Sequence, residues 1–236
     1  MSLYTIADLH LSEDGDKPMD VFGHAWNDHK ARLEKAWRET VREDDTVVVP
    51  GDVSWGMRFD NTAADLLFVH SLPGRKLLGK GNHDYWWNTL TKLRKFRDEL
   101  GAFSLDFLYN NAFLVGNIIV CGTRGWFPDD TYGPDDEKIV QREAGRLRLS
   151  LEEGVKIAKA REEETEMIVF LHYPPFFNGL RCAPLTDLLA EYNIKRCFYG
   201  HLHGVSPALL EKSSGRTDLK LISADSLGFK PFLVRN

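Results

Sequence analysis

What most limits the fold of this chain is the alternation, through its first hundred residues, of short apolar or β-branched runs with longer amphipathic segments. Runs at 3–7, 46–50 and 75–79 read as strands, and segments at 28–42, 61–70 and 87–100 read as helices. Strand alternating with helix favours a parallel sheet with right-handed crossovers. Beyond Leu105 further strands are predicted at 113–115, 118–122, 167–171, 196–199, 205–210 and 220–223, with helices at 136–164 and 184–191. There the runs crowd together around the Asn110-Asn111 and Gly116-Asn117 turns. This predicts antiparallel pairing and a second sheet packed on the first. The longest helix places Val140, Ala144, Leu147, Leu151, Val155 and Ala158 on one face.

With 236 residues, and no repeat, low-complexity tract or Pro/Gly/Ser-rich linker, the chain reads as one α/β domain over 1–236. Three cysteines, Cys121, Cys182 and Cys197, are odd in number and lack CxxC spacing, which argues against a disulfide framework or a cysteine-rich zinc site. Buried, inert thiols are expected. A net charge of -5 argues against a general nucleic-acid binder. Residues 3–7 read as a strand rather than a leader, and no apolar stretch approaches the roughly 20 residues that span a bilayer. A cytoplasmic protein with a small-molecule partner, and no membrane or nucleic acid, is the expectation.

Five short motifs each follow a predicted strand: Asp8-Leu9-His10, Gly51-Asp52, Gly81-Asn82-His83-Asp84, His172, and Gly200-His201-Leu202-His203. Open α/β sheets bind ligands outside the carboxyl ends of their strands, so these motifs would meet at one edge. Asp8 and His10 are two residues apart, as are His201 and His203, so each pair points to one side of an extended segment. Glycines 51, 81 and 200 permit sharp turns and close backbone approach. Two carboxylates (Asp8, Asp52), one amide (Asn82) and four imidazoles (His10, His172, His201, His203) form a mixed N/O set that suits Mn, Fe or Zn better than Ca or Mg. Seven donors exceed one tetrahedral site and fit two ions with a shared carboxylate. Two divalent ions against two aspartates leave a charge of about +2, a field that attracts a phosphate oxyanion.

In this order the motifs, spanning Asp8 to His203, resemble the calcineurin-like metallophosphoesterase superfamily. The resemblance implies a four-layer α/β/β/α sandwich, two mixed sheets flanked by helices, with a dinuclear metal centre at one edge. It implies that Asp8, His10 and His203 hold one ion, that Asn82, His172 and His201 hold the other, and that Asp52 bridges them. It further implies that a metal-bridging hydroxide hydrolyses a phosphoric ester, mono- or diester. Asn82 and His83 would contact the phosphate, and His83 would protonate the leaving oxygen with Asp84 orienting it. Many members carry a second acid three residues after the bridging aspartate, where this chain has Trp55; metal tuning is expected to differ accordingly. The arginine-rich continuation of the serine/threonine protein phosphatases is missing. A metal-dependent nuclease and a catalytically silent scaffold of the same fold are the alternatives. The acidic balance weighs against the first and the complete ligand set against the second.

Outside the motifs, Arg124 follows a strand and is a candidate phosphate ligand, with a salt bridge as the alternative. His24, His29 and His70 read as structural. Trp55, Tyr85, Trp86, Trp87, Trp126, Tyr173, Phe176 and Phe177 crowd the motifs; packing accounts for most, with one or two left for substrate. Lys92, Arg94, Lys95 and Arg97 interleave with Leu90, Leu93, Phe96 and Leu100, a solvated helix face over a buried one. The long acidic loop 11–27, with Glu13, Asp14, Asp16 and Asp20, is expected to cover the site.

Overall fold

A computed structural model describes residues 1–13, 17, 19–127 and 133–235. Strands β1 (Leu3–Thr5), β2 (Thr46–Pro50), β3 (Arg75–Gly79) and β4 (Leu105–Phe107) run parallel. Between them lie α1 (His29–Thr40), α2 (Phe59–Ser71) and α3 (Leu90–Leu100). The second half adds β5 (Ala112–Val115), β6 (Ile118–Thr123), α4 (Pro134–Lys159), β7 (Glu166–Leu171), the hairpin β8 (Phe176–Phe177) and β9 (Leu180–Arg181), and α5 (Ala183–Glu191). It ends with β10 (Arg196–Tyr199), β11 (Ser213–Ser214), β12 (Thr217–Leu221) and β13 (Phe232–Arg235). One sheet has the order β13-β1-β2-β3-β4, with β13 antiparallel at its edge; the other has β11-β12-β10-β7-β6-β5.

The antiparallel expectation for the second sheet holds around the Gly116-Asn117 turn, where β5 pairs with β6, and between β11 and β12. Elsewhere it is corrected: β6–β7, β7–β10 and β10–β12 are parallel. The cause is in the connections: α4 carries the chain back before β7 and α5 before β10, while the long loop and β11 return it before β12. The Asn110-Asn111 turn instead takes the chain from the first sheet to the second. The predicted strand at 205–210 is a loop with a 3-10 turn at Pro207–Leu209, capped by the Ser206 hydroxyl, which accepts from the Ala208 N–H at 3.4 Å. Pro207 has no N–H to give a ladder.

The central strands are buried on both faces. Val47 and Val49 of β2 pack under α1–α3, while Val48 faces the second sheet. In β7, Ile168 and Phe170 face the first sheet, while Val169 and Leu171 face α4 and α5. Phe170 stacks on Phe198 of β10 with ring centroids 5.3 Å apart, filling the layer between the sheets. Three cores thus separate four layers, the α/β/β/α sandwich expected. Gly154 lets α4 lie close on β6, since a Cβ there would sit 2.8 Å from Cys121 Sγ. All three cysteines are free and buried. On α3, Leu93 and Phe96 are buried and Lys95 pairs with Glu99, so the basic run is a solvated face. No helix among the described residues is long and apolar enough to cross a membrane.

The two sheets are joined at the edge where β1 ends. The Ala7 N–H donates to the Ile222 carbonyl and the Ala224 N–H to the Ala7 carbonyl, both at 2.9 Å. This seam fixes the carboxyl ends of β1, β2 and β3 against those of β7 and β10.

Candidate metal centre

Past β1 and β2 the chain leaves regular structure but keeps pairing. The N–H groups of Asp8, His10 and Leu11 donate to the carbonyls of Gly51, Asp52 and Val53 at 3.0–3.1 Å. Side chains that would alternate in a strand are turned to one side by left-handed backbone at Asp8 (φ 61°), His10 (φ 47°) and Asp52 (φ 51°), and on the opposite sheet at His201 (φ 71°). Such conformations cost on the order of 1–3 kcal/mol each and cluster where function requires them. Two glycines make room: a Cβ on Gly81 would lie 2.0 Å from Asp52 Oδ1, and one on Gly200 would lie 2.4 Å from Asp8 Oδ2.

All seven donors come together. Ligand atoms of Asp8, His10 and His203 lie within 4.8 Å of one another, as do those of Asp8, Asp52 and His172. Asp52 Oδ2 stands between His10 Nε2 (3.7 Å) and His172 Nε2 (3.5 Å). Asn82 Oδ1 lies 2.6 Å from His172 Nε2 and 3.0 Å from His201 Nδ1. Asp8, expected with one trio alone, belongs to both groups.

Burial makes this arrangement unstable in charge. It is the main cause that raises the Asp8 carboxyl to about 6 and Asp52 well above the ordinary carboxylate range, with Asp84 and Asp8 adding repulsion at Asp52. Burial, with like charges, lowers His10 and His172 well below the usual imidazole range and His201 to about 4. His203 differs: burial opposes its charge, but the hydrogen bond to Asp225 (2.9 Å) and the nearby carboxylates raise it. That bond leaves Nε2 of His203 aimed at His10 Nε2, 3.2 Å away. His10 Nδ1 and His172 Nδ1 are buried without a hydrogen-bond partner among the described residues. Converging, desolvated and incompletely satisfied N and O donors fit divalent cations, which supply the missing positive charge.

Asp225 was not among the predicted site residues. Its signal resembles that of the others, a carboxylate shortly after an apolar run, here two residues past Ser223. Its second oxygen accepts the Gly204 N–H at 3.1 Å, fixing the turn that carries His203.

Asp84 has a different job from the expected one. Its carboxylate accepts the N–H groups of Asp52, Val53, Ser54 and Gly81 and the Trp86 indole N–H at 2.8–3.3 Å, so it ties the loop after β2 to the loop after β3. His83 is held instead by Trp55, whose ring centroid is 4.0 Å away, and lies 3.5 Å from the Tyr85 hydroxyl. His83 Nε2 is 4.0 Å from Asp52 Oδ2. Burial, then the charges of Lys17 and His203, lower its ring to about 4.

Arg124 takes the salt-bridge alternative. Its guanidinium lies 3.6 Å from fully buried Glu143, in a separate small cavity with Lys80 and Arg146. Its carbonyl matters more, accepting the His172 and Tyr173 N–H groups at 3.0 and 2.9 Å. Trp55, at the position of the missing second acid, stacks on His10 at 5.1 Å and packs at a tilt against His83. Of the 11–27 loop, Asp14 and Asp16 lie outside the described residues, while Met19, Ala25 and Trp26 line a cavity beside the donors.

Comparison with known proteins agrees with this geometry. Residues 1–205 match the calcineurin-like phosphoesterase family. Gene 66 protein of Mycobacterium phage L5 is 37% identical over 78 residues, covering 33% of this chain and 37% of that protein, well under two thirds of its length. Among solved structures, TT1561 of Thermus thermophilus aligns over 99% of this chain and 97% of that one (TM-score 0.55, 13% identity). AQ665 of Aquifex aeolicus, of unknown function, aligns over 98% and 95% (0.54, 16%), and phosphopantetheinyl hydrolase of Mycobacterium tuberculosis over 94% and 88% (0.51, 14%). These likenesses are of fold. The family match covers most of the chain: the chain belongs to the calcineurin-like phosphoesterase family.

Proposed function

We propose that this chain hydrolyses a small-molecule phosphoric ester at a pair of divalent transition-metal ions, Mn, Fe or Zn. The observation that carries the reading is the pair of overlapping donor groups with a buried carboxylate between them. Asp8, His10 and His203 would hold one ion and Asn82, His172 and His201 the other, with Asp52 shared. The position of Asp8 in both groups supports a second shared carboxylate. When bound, two such ions supply a water of lowered pKa as nucleophile and stabilise charge on the phosphoryl oxygens.

The protein groups do the rest. The Asp225–His203 bond keeps His203 Nδ1 protonated and its Nε2 free to ligate. Asp84 keeps the Asp52 and Asn82 loops in register. His83, packed on Trp55 at the cavity wall, would approach the phosphate and give a proton or hydrogen bond to the leaving oxygen. Its lowered pKa makes it neutral at pH 7, and the negative charge of an incoming phosphate would move it back up.

The test is turnover of p-nitrophenyl phosphate and bis-p-nitrophenyl phosphate by purified protein with and without Mn²⁺. Metal-dependent hydrolysis of either supports the reading, and the preferred ester separates monoesterase from diesterase. Two bound ions with no turnover of either would favour the silent scaffold. His83→Ala should keep its metal and lose most kcat on alkyl esters, whose leaving oxygen needs the proton.

A further inference from the structure

Beside the donors lies a cavity of about 470 Å³, in the size range of small-molecule sites and larger than one phosphoryl group needs. Its two sides differ. One carries His10, Asp52, His83, His201, His203 and Asp225; the other is Met19, Ala25, Trp26 and Trp55. The Trp55 indole N–H already donates to Met19 Sδ at 3.3 Å, so it offers no bond to a ligand. Trp26 sets its ring edgewise to His10 and His203, with centroids 5.6 and 5.3 Å away, which continues the apolar surface up to the donors. No Lys or Arg is among the lining residues; Lys17 lies outside, 4.5 Å from the Trp55 ring centroid.

From this asymmetry we infer that the group leaving with the ester oxygen is apolar, an alkyl or aryl moiety packed on Met19, Ala25, Trp26 and Trp55. The inference rests on the phosphoester reading above and names its substrate class. A phosphoryl group anchored at the donors turns its ester substituent toward the remaining volume, and that volume is bounded by the apolar wall. A sugar hydroxyl packed on Met19, Ala25 or the indole faces would lose water without gaining a partner from them. A second phosphate would find no Lys or Arg among the described lining residues. Apolar substituents gain with every methylene they bury.

Binding of n-alkylphosphonates, which are not hydrolysed, tests this independently of turnover. Titration calorimetry on the Mn²⁺-loaded protein should give a Kd falling about fourfold per methylene from methyl to butyl. The gain should be about halved in Met19→Ser and lost in Ala25→Glu, an exposed position whose carboxylate would enter the wall. A Kd independent of chain length overturns the inference, as does a length dependence untouched by both variants. A flat series alongside metal-dependent ester hydrolysis removes the substrate class and leaves the proposed function standing. A steep series without hydrolysis keeps the apolar wall as a binding surface but removes the proposed function and, with it, the leaving-group assignment.

Discussion

The two ends of β3 bury polar groups in opposite ways. Near its start Lys76 is fully buried, yet its ammonium donates to the His70, Leu72 and Gly74 carbonyls and the Ser104 hydroxyl. Past its end the Asn82 loop joins a cluster in which, among the described residues, two imidazole nitrogens have no hydrogen-bond partner. Lys76 closes the carboxyl end of α2, where unpaired carbonyls would otherwise be buried. The same contrast recurs inside the site, where Asp84 accepts five donors, while Asp52 takes the His83 N–H on Oδ1 and turns Oδ2 between imidazoles. A buried polar group satisfied by its own chain holds structure together. One left short, on strained backbone, is held in readiness for something from outside.

The sharpest way to break this contrast is to neutralise one member of each kind. Asp52→Asn should cut turnover at least about 1,000-fold, more than the roughly 10²–10³ typical of a single lost electrostatic contact, because an ion is lost with it. The metal-free chain should be no less stable than the parent in urea, since a buried charge has been removed. Lys76→Met should do the opposite: a loss of about 3 kcal/mol in urea unfolding, with Mn²⁺ affinity unchanged, because three carbonyls lose their donor. If Lys76→Met were neutral, the idea that its hydrogen bonds are structural would fail.

Two smaller effects sharpen the comparison. Asp225→Asn should weaken metal binding about 10-fold, the usual size for a group that orients a ligand, and should leave urea stability nearly unchanged. The pH dependence follows from Asp8. Its folded pKa of about 6 exceeds the roughly 3.9 of an unfolded aspartate. Between those values the folded chain holds a proton the unfolded chain gives up, so this group makes the metal-free fold less stable as pH rises from about 4 to 6. Ion binding takes the ionised form and reverses that loss. The gain in Tm on adding Mn²⁺ should therefore be larger at pH 7.5 than at pH 5, by roughly 2–4 °C. Equal gains in thermal melts would separate Asp8 from the metal.

Much of this was legible in the sequence because the donors sit directly after central strands. β2, β3 and β10 fall where predicted, and their ends carry Asp52, Asn82 and His201. Less visible were β4 and β13, edge strands of three and four residues, too short for a pattern. Also hidden was whatever depends on contacts across the fold. That Asp84 binds backbone 30 residues away rather than the neighbouring imidazole is a property of two loops meeting. Arg124 faces Glu143 because α4 packs on β6, which its own motif does not reveal. Trp55 looked like a loss in the sequence. In the fold it is the surface on which His10 and His83 rest.

The account stands or falls on the donor cluster being built for two ions. Titration of metal-free protein with Mn²⁺ by calorimetry, with bound metal counted after dialysis, measures that directly. Two ions per chain, with release of protons below about pH 6, is the result expected. No uptake, or saturation at a single ion with Asp52→Asn unaffected, would contradict it.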